Sequence, residues 1–447
     1  MKRIAISVLF GLLLPALAHA QTDRIPTLKR LEPEYLKRVR EEVAVFATKR
    51  APVTLKTGFG DYRCVIHAHS YLSHDSRGTI AEIATAAKSA GIDALFLSNH
   101  PKKDMDVVAA GQTAPVEGVL FVSGAETNGF VAYPGDGRLP PTDVAEQPFV
   151  DSILKSRGLI FIAHPEEHTD WSLRGLTGTE IYNTHADVKD EKELLAALRP
   201  HDSKGYLQLL KLVNTFRDYP QESFAALFDP PIENLAHYDA LCKDHPVACT
   251  AGNDSHQNTG FVLRGADDGK ISVEDPLGER ISIIDPAKNP LAVTMFGKPE
   301  PGKEMFRRLL DPYPVSFHYV STHVLARERT VEALSAALKA ARTYVAFDWM
   351  ADPTGTSLVA ESGTKRFTIG DTVPLSAGLT IHAEVPLSAS LRLVRDGKEV
   401  ARADSRTLSF AVDAPGVYRL EASLPLAGEV RPWIYTGAIL VRPTAVH

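Results

Sequence analysis

The sequence predicts an α/β protein: a β/α barrel followed by a small C-terminal antiparallel β-sandwich. Between residues 61 and 350, short continuous apolar runs alternate with helix-like segments, which is typical of parallel strands covered by helices. From residue 366 the pattern changes to short alternating segments separated by Gly, Asp and Pro turns, as in β-sandwiches. An open doubly wound sheet is the alternative for the first region.

The composition is that of an ordinary globular protein, and 447 residues are enough for two or more domains. Hydrophobic residues make up 44% of the chain and charged residues 23%. The formal net charge of −6 argues against a nucleic-acid partner bound through a general basic surface. The composition leaves the oligomeric state open.

Residues 1–20 have the features of a signal peptide. A positively charged start (MKR) precedes the apolar residues 4–17, and AHA at 18–20 is a small-x-small cleavage site. An uncleaved membrane anchor is the alternative, although the apolar run is short for a bilayer. We therefore expect export to the periplasm or secretion, with no membrane span after signal removal.

The remaining boundaries follow from the change of pattern along the chain. Residues 21–60 form an N-terminal helical segment, since 26–50 have helical spacing and mixed charge. The barrel occupies 61–350 and the sandwich 366–443. The boundary between them falls in DPTGTSLVAESGTK at 352–365, which is rich in Gly, Ser and Thr.

The chain has three cysteines and no CxxC pair, which argues against a zinc knuckle or a thioredoxin-like site. Cys242 and Cys249 either close a small disulfide loop or remain free, because spacing alone fixes no geometry. Cys64 is expected to be a buried small hydrophobic residue.

The segment HAHSYLSHD at residues 67–75 concentrates metal-binding side chains. His67 and His69 are two positions apart, so on a strand both imidazoles point to the same face. His74 and Asp75 follow in the loop, where either can return to supply a further ligand. An HxH pair alone is weak evidence for a metal site. Further histidines or carboxylates must occur elsewhere in the sequence to complete the set of ligands.

The same chemistry does recur, because other apolar runs also end in a histidine or a carboxylate. The residues concerned are His100, Glu126, His164, Asp254 and His256. Barrel enzymes gather their functional residues at such strand ends. Histidine and carboxylate ligands without cysteine suit divalent manganese, zinc or iron, and their number implies two or three ions.

These motifs resemble those of the polymerase and histidinol phosphatase (PHP) superfamily. The segments HAHSYLSHD, SNH, GAE, AHP and GNDSH occur in the family's order, between residues 61 and 260. The resemblance implies a distorted, TIM-like (β/α)7 barrel with a two- or three-metal centre at the strand ends.

The resemblance also assigns the ligands to three ions. One ion takes His67, His69, Glu126 and Asp254. Glu126 bridges to a second ion, whose other ligands are His164 and, as a candidate, His185. The third ion takes His100, His256 and a first-loop ligand, which is either His74 or Asp75. Asn183 is expected to support the ligands rather than bind an ion.

Ligands of this kind favour hydrolysis by a hydroxide held between two ions. The departing oxygen then needs a proton, which either a water on a third ion or a nearby histidine can supply, and His168 and His185 are the catalytic candidates. The sequence contains neither a GxSxG nucleophile motif nor a GxxxxGK[ST] phosphate loop. A covalent acyl-enzyme and a nucleotide-binding loop are therefore not indicated.

The predicted substrate is a small, anionic ester, and a phosphate mono- or diester is the leading interpretation. Lys102 and Lys103 follow His100 directly, where they can meet a phosphate group or lie in a solvated loop. Exported members of the PHP superfamily that carry a β-sandwich also resemble a branch that includes carbaryl hydrolases. For this chain, that resemblance implies cleavage of a carbamate, an aryl ester or an amide as the alternative. A third possibility is a non-catalytic protein that binds metal or another ligand.

Overall fold

The computed structural model describes residues 25–168, 171–197 and 203–444. It has a mixed α/β architecture with a large, mostly parallel central sheet and a C-terminal β-rich region that is mostly antiparallel. The expected signal peptide lies outside the described residues. Within the described residues, no helix is long and apolar enough to cross a membrane.

Two helices precede the sheet: α1 (Thr27–Arg30) and α2 (Pro33–Lys49). Proline stands at the start of α2, where its missing N–H costs no hydrogen bond. The buried residues of α2 are Leu36 and Val39, which stand three positions apart and so share one face of the helix.

The central sheet begins with three parallel strands and ends with three more, and one reversed strand lies between these two sets. The strands are β1 (Gly60–Ala68), β2 (Ala94–Asn99), β3 (Leu120–Thr127), β4 (Phe130–Tyr133), β5 (Leu159–Ile162), β6 (Gly178–Asn183) and β7 (Ala248–Gly252). Beyond the end of β7, Ser255 forms a parallel bridge with Ala68 at the end of β1. The last and first strands therefore meet at the ends that carry the predicted ligands.

The reversed strand β4 interrupts the regular strand-and-helix repeat. Asn128 and Gly129 connect β3 to β4, with positive φ angles of 54° and 75°. Two such residues form the tight turn that matches the twist of a hairpin, and Asn-Gly is the preferred pair. The TNGF segment therefore encodes a hairpin where a regular repeat would have a helix.

Helices follow several strands of the central sheet. They are α3 (Ile80–Ser89), α4 (Glu146–Lys155), α5 (Thr184–Asp190), α6 (Lys192–Ala197), α7 (Ser203–Asp218), α8 (Pro220–Ala225) and α9 (Ile232–Leu241), and a 3-10 turn covers Pro165–Glu167. Helix α3 begins with a capping box, in which Thr79 and Glu82 satisfy each other's backbone N–H groups. The loop carrying His74 and Asp75 thus ends at a well-defined helix start.

A second, antiparallel sheet follows β7 within the range predicted as barrel. Its elements are β8 (Gly260–Gly265), β9 (Ile271–Glu274), β10 (Arg280–Ile284), α10 (Pro290–Phe296) and β11 (Glu304–Leu309). The strand order is β10-β9-β8-β11, and the sheet is separate from the central one. Its own small core contains Leu263, Ile271 and Ile284.

Two strands then connect the central sheet to the C-terminal region. They and their helices are α11 (Tyr313–Tyr319), β12 (Ser321–Ala326), α12 (Val331–Lys339) and β13 (Thr343–Ala346). Strand β12 lies antiparallel between β1 and β13.

The C-terminal region contains β14 (Ser357–Ser362), β15 (Lys365–Thr368), β16 (Thr372–Pro374), β17 (Thr380–Arg395), β18 (Lys398–Ala411), β19 (Gly416–Leu426), β20 (Glu429–Thr436) and β21 (Ile439–Arg442). Strand β13 pairs with β20, so the hydrogen-bonded sheet continues into this region. Strand β14 precedes residue 366, the expected start of the sandwich, and pairs with the long strand β17. The Gly- and Ser-rich residues before 366 thus include a buried strand, because LVA within them is apolar.

The largest hydrophobic core lies between the central sheet and the C-terminal region. It joins Ile181 and Ala251 of the central sheet to Leu420 and Trp433 of the C-terminal strands. Across the same junction, buried Arg419 donates two hydrogen bonds to Asp239 of α9, at 2.7 and 2.9 Å. The C-terminal region is therefore packed against the central sheet as a continuation of its core.

All three cysteines are free and buried. Cys249 lies on β7, where its sulfur contacts the hydroxyl of Thr343 at 3.5 Å. Cys242 stands at the end of α9. Of the two alternatives for Cys242 and Cys249, the structure has free thiols rather than a disulfide.

Candidate metal centre

The strand ends bring the predicted ligands together. Three overlapping groups have nitrogen or carboxylate oxygen atoms within 4.8 Å of one another: His67, His69, Glu126 and Asp254; His69, Asp75, His100 and His256; His185, Asp254 and His256. The residues come from the ends of β1, β2, β3 and β7, from the loops that follow β1 and β7, and from the first turn of α5, which begins directly after β6. Such a group of histidines and carboxylates can hold divalent ions.

Strand β1 places His67 and His69 on one buried face, as their spacing predicts. Their Nε2 atoms are 3.2 Å apart. Two nitrogens bound to one ion at about 2.0–2.1 Å in tetrahedral geometry lie roughly 3.3 Å apart. The observed separation therefore fits two ligands of a single ion.

Hydrogen bonds on the opposite side of three imidazole rings orient these ligands. Nδ1 of His67 lies 2.6 Å from Glu180, and Nδ1 of His69 lies 2.9 Å from the hydroxyl of Ser73. Nδ1 of His256 donates to the backbone oxygen of Asp254 at 2.8 Å. In each ring Nε2 remains directed into the cluster, which is the arrangement that a metal-binding histidine needs.

Glu126 and Asp254 each present two oxygens to two different sets of imidazoles. One oxygen of each carboxylate lies 3.2 Å from Nε2 of both His67 and His69. The other oxygen lies 3.2 Å from Nε2 of His164 for Glu126, and 3.3 Å for Asp254. Both carboxylates therefore stand in bridging positions, whereas the sequence assigned that role to Glu126 alone.

His185 joins the second set of imidazoles. Its Nδ1 lies 3.2 Å from the same oxygen of Asp254 that faces His164. Asn183 holds it there, because its side-chain oxygen accepts the backbone N–H of His185 at 2.8 Å. The side chain of His185 is 30% exposed, so it lies at the rim of the cluster.

Asp75, rather than His74, enters the third group. Its carboxylate lies 3.4 Å from His100 and 3.2 Å from His256. The imidazole of His74 is 71% exposed and stands 4.0 Å from Asp75, on the solvent side of it. Of the two residues that the sequence left open, the structure brings Asp75 into the cluster.

The backbone at two ligands is strained. His164 and Asp254 have left-handed conformations with φ angles of 48° and 47°, which non-glycine residues adopt only at a cost of about 1–3 kcal/mol. In both cases this conformation directs the side chain into the same cluster. Such strain is typical of functional sites.

The electrostatics of the cluster favour a cation. Burial opposes a charged imidazole at His67, but nearby carboxylates outweigh it and raise the pKa of His67 well above its usual value. Burial is likewise outweighed at His164, where hydrogen bonds to Asp254 and Glu126 raise the pKa to about 12. The imidazoles in turn hold the pKa values of both carboxylates well below normal, against the effect of burial. A divalent ion satisfies the same negative charge and displaces the protons.

Several polar atoms in the cluster are better placed to bind an ion than to form hydrogen bonds with one another. Buried oxygens of Asp75 and Asp254, and Nε2 of His256, have no hydrogen-bond partner among the described residues. The Asp254 oxygen and the His256 nitrogen lie 3.2–3.4 Å from neighbouring ligand atoms without being aligned as hydrogen bonds. Unpaired buried polar atoms are costly, and coordination of a cation removes that cost.

Neither a protein-family model nor a curated protein matches the chain. Two proteins are among the solved structures that show weak similarity to the chain. One is a two-domain protein from Bacteroides vulgatus that contains a predicted PHP-like metal-dependent phosphoesterase. It is 13% identical, with 87% of this chain and 99% of that chain covered and a TM-score of 0.30. The other is a calcium-binding mutant of Bacteroides uniformis β-glucuronidase 2, also 13% identical, with 86% and 46% covered and a TM-score of 0.16.

Similarity at this level supports no argument about activity. The relation to the PHP superfamily therefore stays a prediction from the motifs and the cluster that they form. The comparisons give no support to the carbaryl-hydrolase branch.

Glu180 is a supporting residue that the sequence analysis missed. It is buried on β6, where it accepts from Nδ1 of His67 and from the backbone N–H of His164 at 3.0 Å. Asn183 donates a further hydrogen bond to it, also at 3.0 Å. In the sequence TEIYN this glutamate lies within a strand rather than at its end, so the strand-end pattern could not reveal it.

Asp311 was also missed. It lies just beyond β11 and accepts the backbone N–H groups of Asn258 and Thr259. Burial raises the pKa of Asp311 to about 7. It lines a small cavity together with His185 and Asp254, so a buried carboxyl with a raised pKa lies beside the cluster.

His168 lies apart from the three groups of ligand atoms. Its ring stacks on Trp171 with centroids 3.9 Å apart. Lys102 is half-buried and Lys103 exposed in the loop after His100. The catalytic role predicted for His168 therefore stays a prediction.

Proposed function

We propose that this protein is an exported, multinuclear metal-dependent hydrolase that cleaves phosphate mono- or diesters. The observation that carries the proposal is the pair of bridging positions occupied by Glu126 and Asp254. Each directs one oxygen toward His67 and His69 and the other toward His164. Two adjacent ions that share carboxylates are the usual centre for displacement at phosphorus.

Manganese, zinc or iron at this centre would supply Lewis acidity and lower the pKa of bound water. The residues that would hold one ion are His67, His69, Glu126 and Asp254. His164 and His185, with the same two carboxylates, would hold a second, and Asp75, His100 and His256 a third. Glu180 holds the imidazole of His67 in the orientation that leaves Nε2 for the ion. His185 is the candidate to donate a proton to the departing oxygen, since it lies at the rim where an ester can approach.

The proposal is tested with protein reconstituted with manganese or zinc. Initial rates are compared for an aryl phosphomonoester, an aryl phosphodiester and an aryl carbamate. We expect release from a phosphate ester and its loss on chelation. Release from the carbamate alone would instead favour a carbamate, ester or amide hydrolase, and no release from any of the three would favour a non-catalytic binding protein.

Two ligand variants test the site itself. We expect His67→Ala and Asp254→Ala to abolish turnover, because both residues would bind an ion. The circular dichroism spectrum of each variant should remain that of the folded protein. His382→Ala is the matched control, since this histidine lies on β17, outside the three groups of ligand atoms. Full activity in either ligand variant would contradict the assignment.

Export is tested separately by expressing the full chain in a bacterium with a periplasm. We expect the periplasmic fraction to contain a protein whose first residue is near Gln21. Retention of residues 1–20 on a membrane-bound product would indicate an anchor instead.

A further inference from the structure

Two loops carry ligands of the third ion. The first ligand loop, residues 69–79, follows β1 and contains Asp75. The second ligand loop, residues 253–259, follows β7 and contains His256. Within the described residues, backbone pairing between the two loops ends at Ser255. Beyond that point, side chains fix the separation of Asp75 and His256.

Tyr313, the first residue of α11, joins the two loops. Its hydroxyl donates to the backbone oxygen of His69 at 2.8 Å and lies 2.9 Å from the hydroxyl of Ser76. Ser76 in turn donates to the backbone oxygen of His256 at 2.9 Å. Both side chains are buried, so removal of one hydroxyl leaves its partners without a replacement from solvent.

The core holds the ring of Tyr313 in place. The ring packs on Phe317, with centroids 5.4 Å apart, and belongs to the same core as Ile83 and Ala87 of α3. Gly78, in the first ligand loop, lies so close to the ring that a β-carbon at this position would overlap it. The position of the hydroxyl is therefore set by packing.

Asp311 makes a second connection from the same segment. Its carboxylate accepts the backbone N–H groups of Asn258 and Thr259 at 3.2 and 3.0 Å. The side-chain amide of Asn258 donates to the backbone oxygen of Asp75 at 3.0 Å. Residues 311–313 thus connect the two ligand loops at two points.

The ligands of the other two ions have separate supports. Glu180 lies 2.6 Å from Nδ1 of His67 and accepts the backbone N–H of His164 at 3.0 Å. The backbone N–H of His69 donates to the oxygen of Ser255 at 2.9 Å. Removal of the buried tyrosine hydroxyl should therefore act mainly on the third ion.

We propose that Tyr313 is a positioning residue for the third ion. Acting through Ser76, its hydroxyl holds the carboxylate of Asp75 and Nε2 of His256 3.2 Å apart, a separation that suits two ligands of one ion. This role rests on the proposed three-ion centre and holds whichever ester is cleaved. It gives the segment that follows the second sheet a function at the metal centre.

The variant Tyr313→Phe removes the hydroxyl and keeps the ring. Titration calorimetry of the metal-free protein with manganese or zinc measures the affinity for each ion, and Asp75→Asn identifies which binding step belongs to the third. We expect Tyr313→Phe to lower the affinity for the third ion by about 10–100-fold and to leave the other two affinities unchanged. Equal affinities for all three ions in wild type and variant would overturn the proposal.

Tyr238→Phe is the matched control. Tyr238 is equally buried, and its hydroxyl donates to Val247, just before β7 and at the opposite end of that strand from the ligands. Both variants should lose stability in urea unfolding, because each loses a buried hydrogen bond, but Tyr238→Phe should keep all three affinities. The same loss of metal affinity in both variants would show a general effect of destabilisation and would overturn the proposal.

Ser76→Ala tests the same connection from the first ligand loop and decides the matter if Tyr313→Phe does not fold. We expect it to weaken binding of the third ion as well, because the bond from Ser76 to His256 is lost. Unchanged affinity for the third ion in Ser76→Ala would overturn the proposal.

Comparison with the substrate panel separates this role from the proposed function. Three ions in the wild type with no turnover of any ester, together with selective loss of the third ion in Tyr313→Phe, would overturn the phosphoesterase function and support the role of Tyr313. Turnover of a phosphate ester by a wild-type protein that binds fewer than three ions would do the reverse.

Discussion

At the scale of single residues, the cluster depends on the fact that each carboxylate has two oxygens and each imidazole two nitrogens. Glu126 and Asp254 use both oxygens, so each contacts two sets of imidazoles. His67 and His69 use both ring nitrogens, one toward the cluster and one toward a supporting hydrogen bond. Such constraints fix the rotamers of the ligands before an ion arrives, which reduces the entropy lost on binding.

The choice between the two first-loop residues gives a direct prediction. Asp75→Asn should reduce the number of tightly bound ions by one, because the carboxylate between His100 and His256 is removed. His74→Asn should leave the metal content unchanged, since that imidazole faces solvent. Metal analysis after dialysis checks both variants, and loss of an ion in His74→Asn alone would reverse the assignment.

Glu180 gives a second prediction at this scale. Glu180→Gln weakens the hydrogen bond that orients His67, and loss of such a supporting group typically costs about 10–100-fold in metal affinity. Competition with a chelator measures the effect. Glu384→Gln is the matched control, because this buried glutamate binds the backbone N–H groups of Thr54 and Leu55 instead. Equal affinities in the two variants would show that Glu180 has no such role.

At the scale of elements, β1, β12 and β13 are tied together by a buried charged network below the cluster. Nδ1 of His323 lies 2.8 Å from Asp61, and its Nε2 lies 3.0 Å from Asp348. Arg63 pairs with Asp348 at 3.1 Å, and Tyr344 donates to Asp61 at 2.6 Å. Each buried polar group thus has a partner, and the network aligns the strand that carries His67 and His69 with its neighbour.

This network predicts how stability changes with pH. Burial opposes a charged His323, but Asp61 and Asp348 outweigh it and raise its pKa to about 9, above about 6.5 in the unfolded chain. The resulting stabilisation is present in full below about pH 6.5 and is lost as the pH rises through 9, a change of about 3 kcal/mol. Urea unfolding across this range should show the decrease in the wild type.

Substitution of this histidine should remove that part of the pH dependence. We expect the free energy of unfolding of His323→Gln to fall less between pH 6.5 and 9 than that of the wild type. His382→Gln, on the exposed side of β17, should follow the wild type. Parallel pH profiles for wild type and His323→Gln would contradict the assigned charge state.

At the scale of the whole molecule, the two regions behave as one packed unit. The largest core includes residues of both the central sheet and the C-terminal strands. The buried pair of Arg419 and Asp239 crosses the same junction, and removing one partner of such a pair typically costs about 3–5 kcal/mol. Removing the C-terminal strands would expose this core and would therefore destabilise the strands that carry the predicted metal ligands.

Truncation tests this dependence. Removing the chain from residue 357 onward should lower the melting temperature and the solubility of the remaining N-terminal region, because Ile181, Ala251 and Tyr344 lose part of their shared core. The intact protein should unfold in a single calorimetric transition. A soluble truncated protein with an unchanged melting temperature would refute the shared core as a source of stability.

The local sequence pattern predicted the structure well where a residue type has one main structural role. Apolar runs ending in His or a carboxylate indicated the strands and the ligands that follow them, because parallel strands expose their ends at one edge. The same approach overlooked Asn128-Gly129, whose turn reverses β4, and the antiparallel sheet beginning at Gly260. Neither feature changes the hydrophobic periodicity enough for the sequence to distinguish it from a regular strand-and-helix repeat.

The sequence by itself determined which side chains stand at the strand ends, and histidines and carboxylates there predict a metal site whatever the details of the fold. Only the tertiary structure decided which atoms meet. It selected Asp75 over His74, gave Asp254 its bridging position and placed Glu180 behind His67. It also set β20 and the end of β6 around one cavity, although they are more than 200 positions apart in the chain. Periodicity records which face a residue occupies, whereas distances between strands arise from how the whole sheet closes and packs.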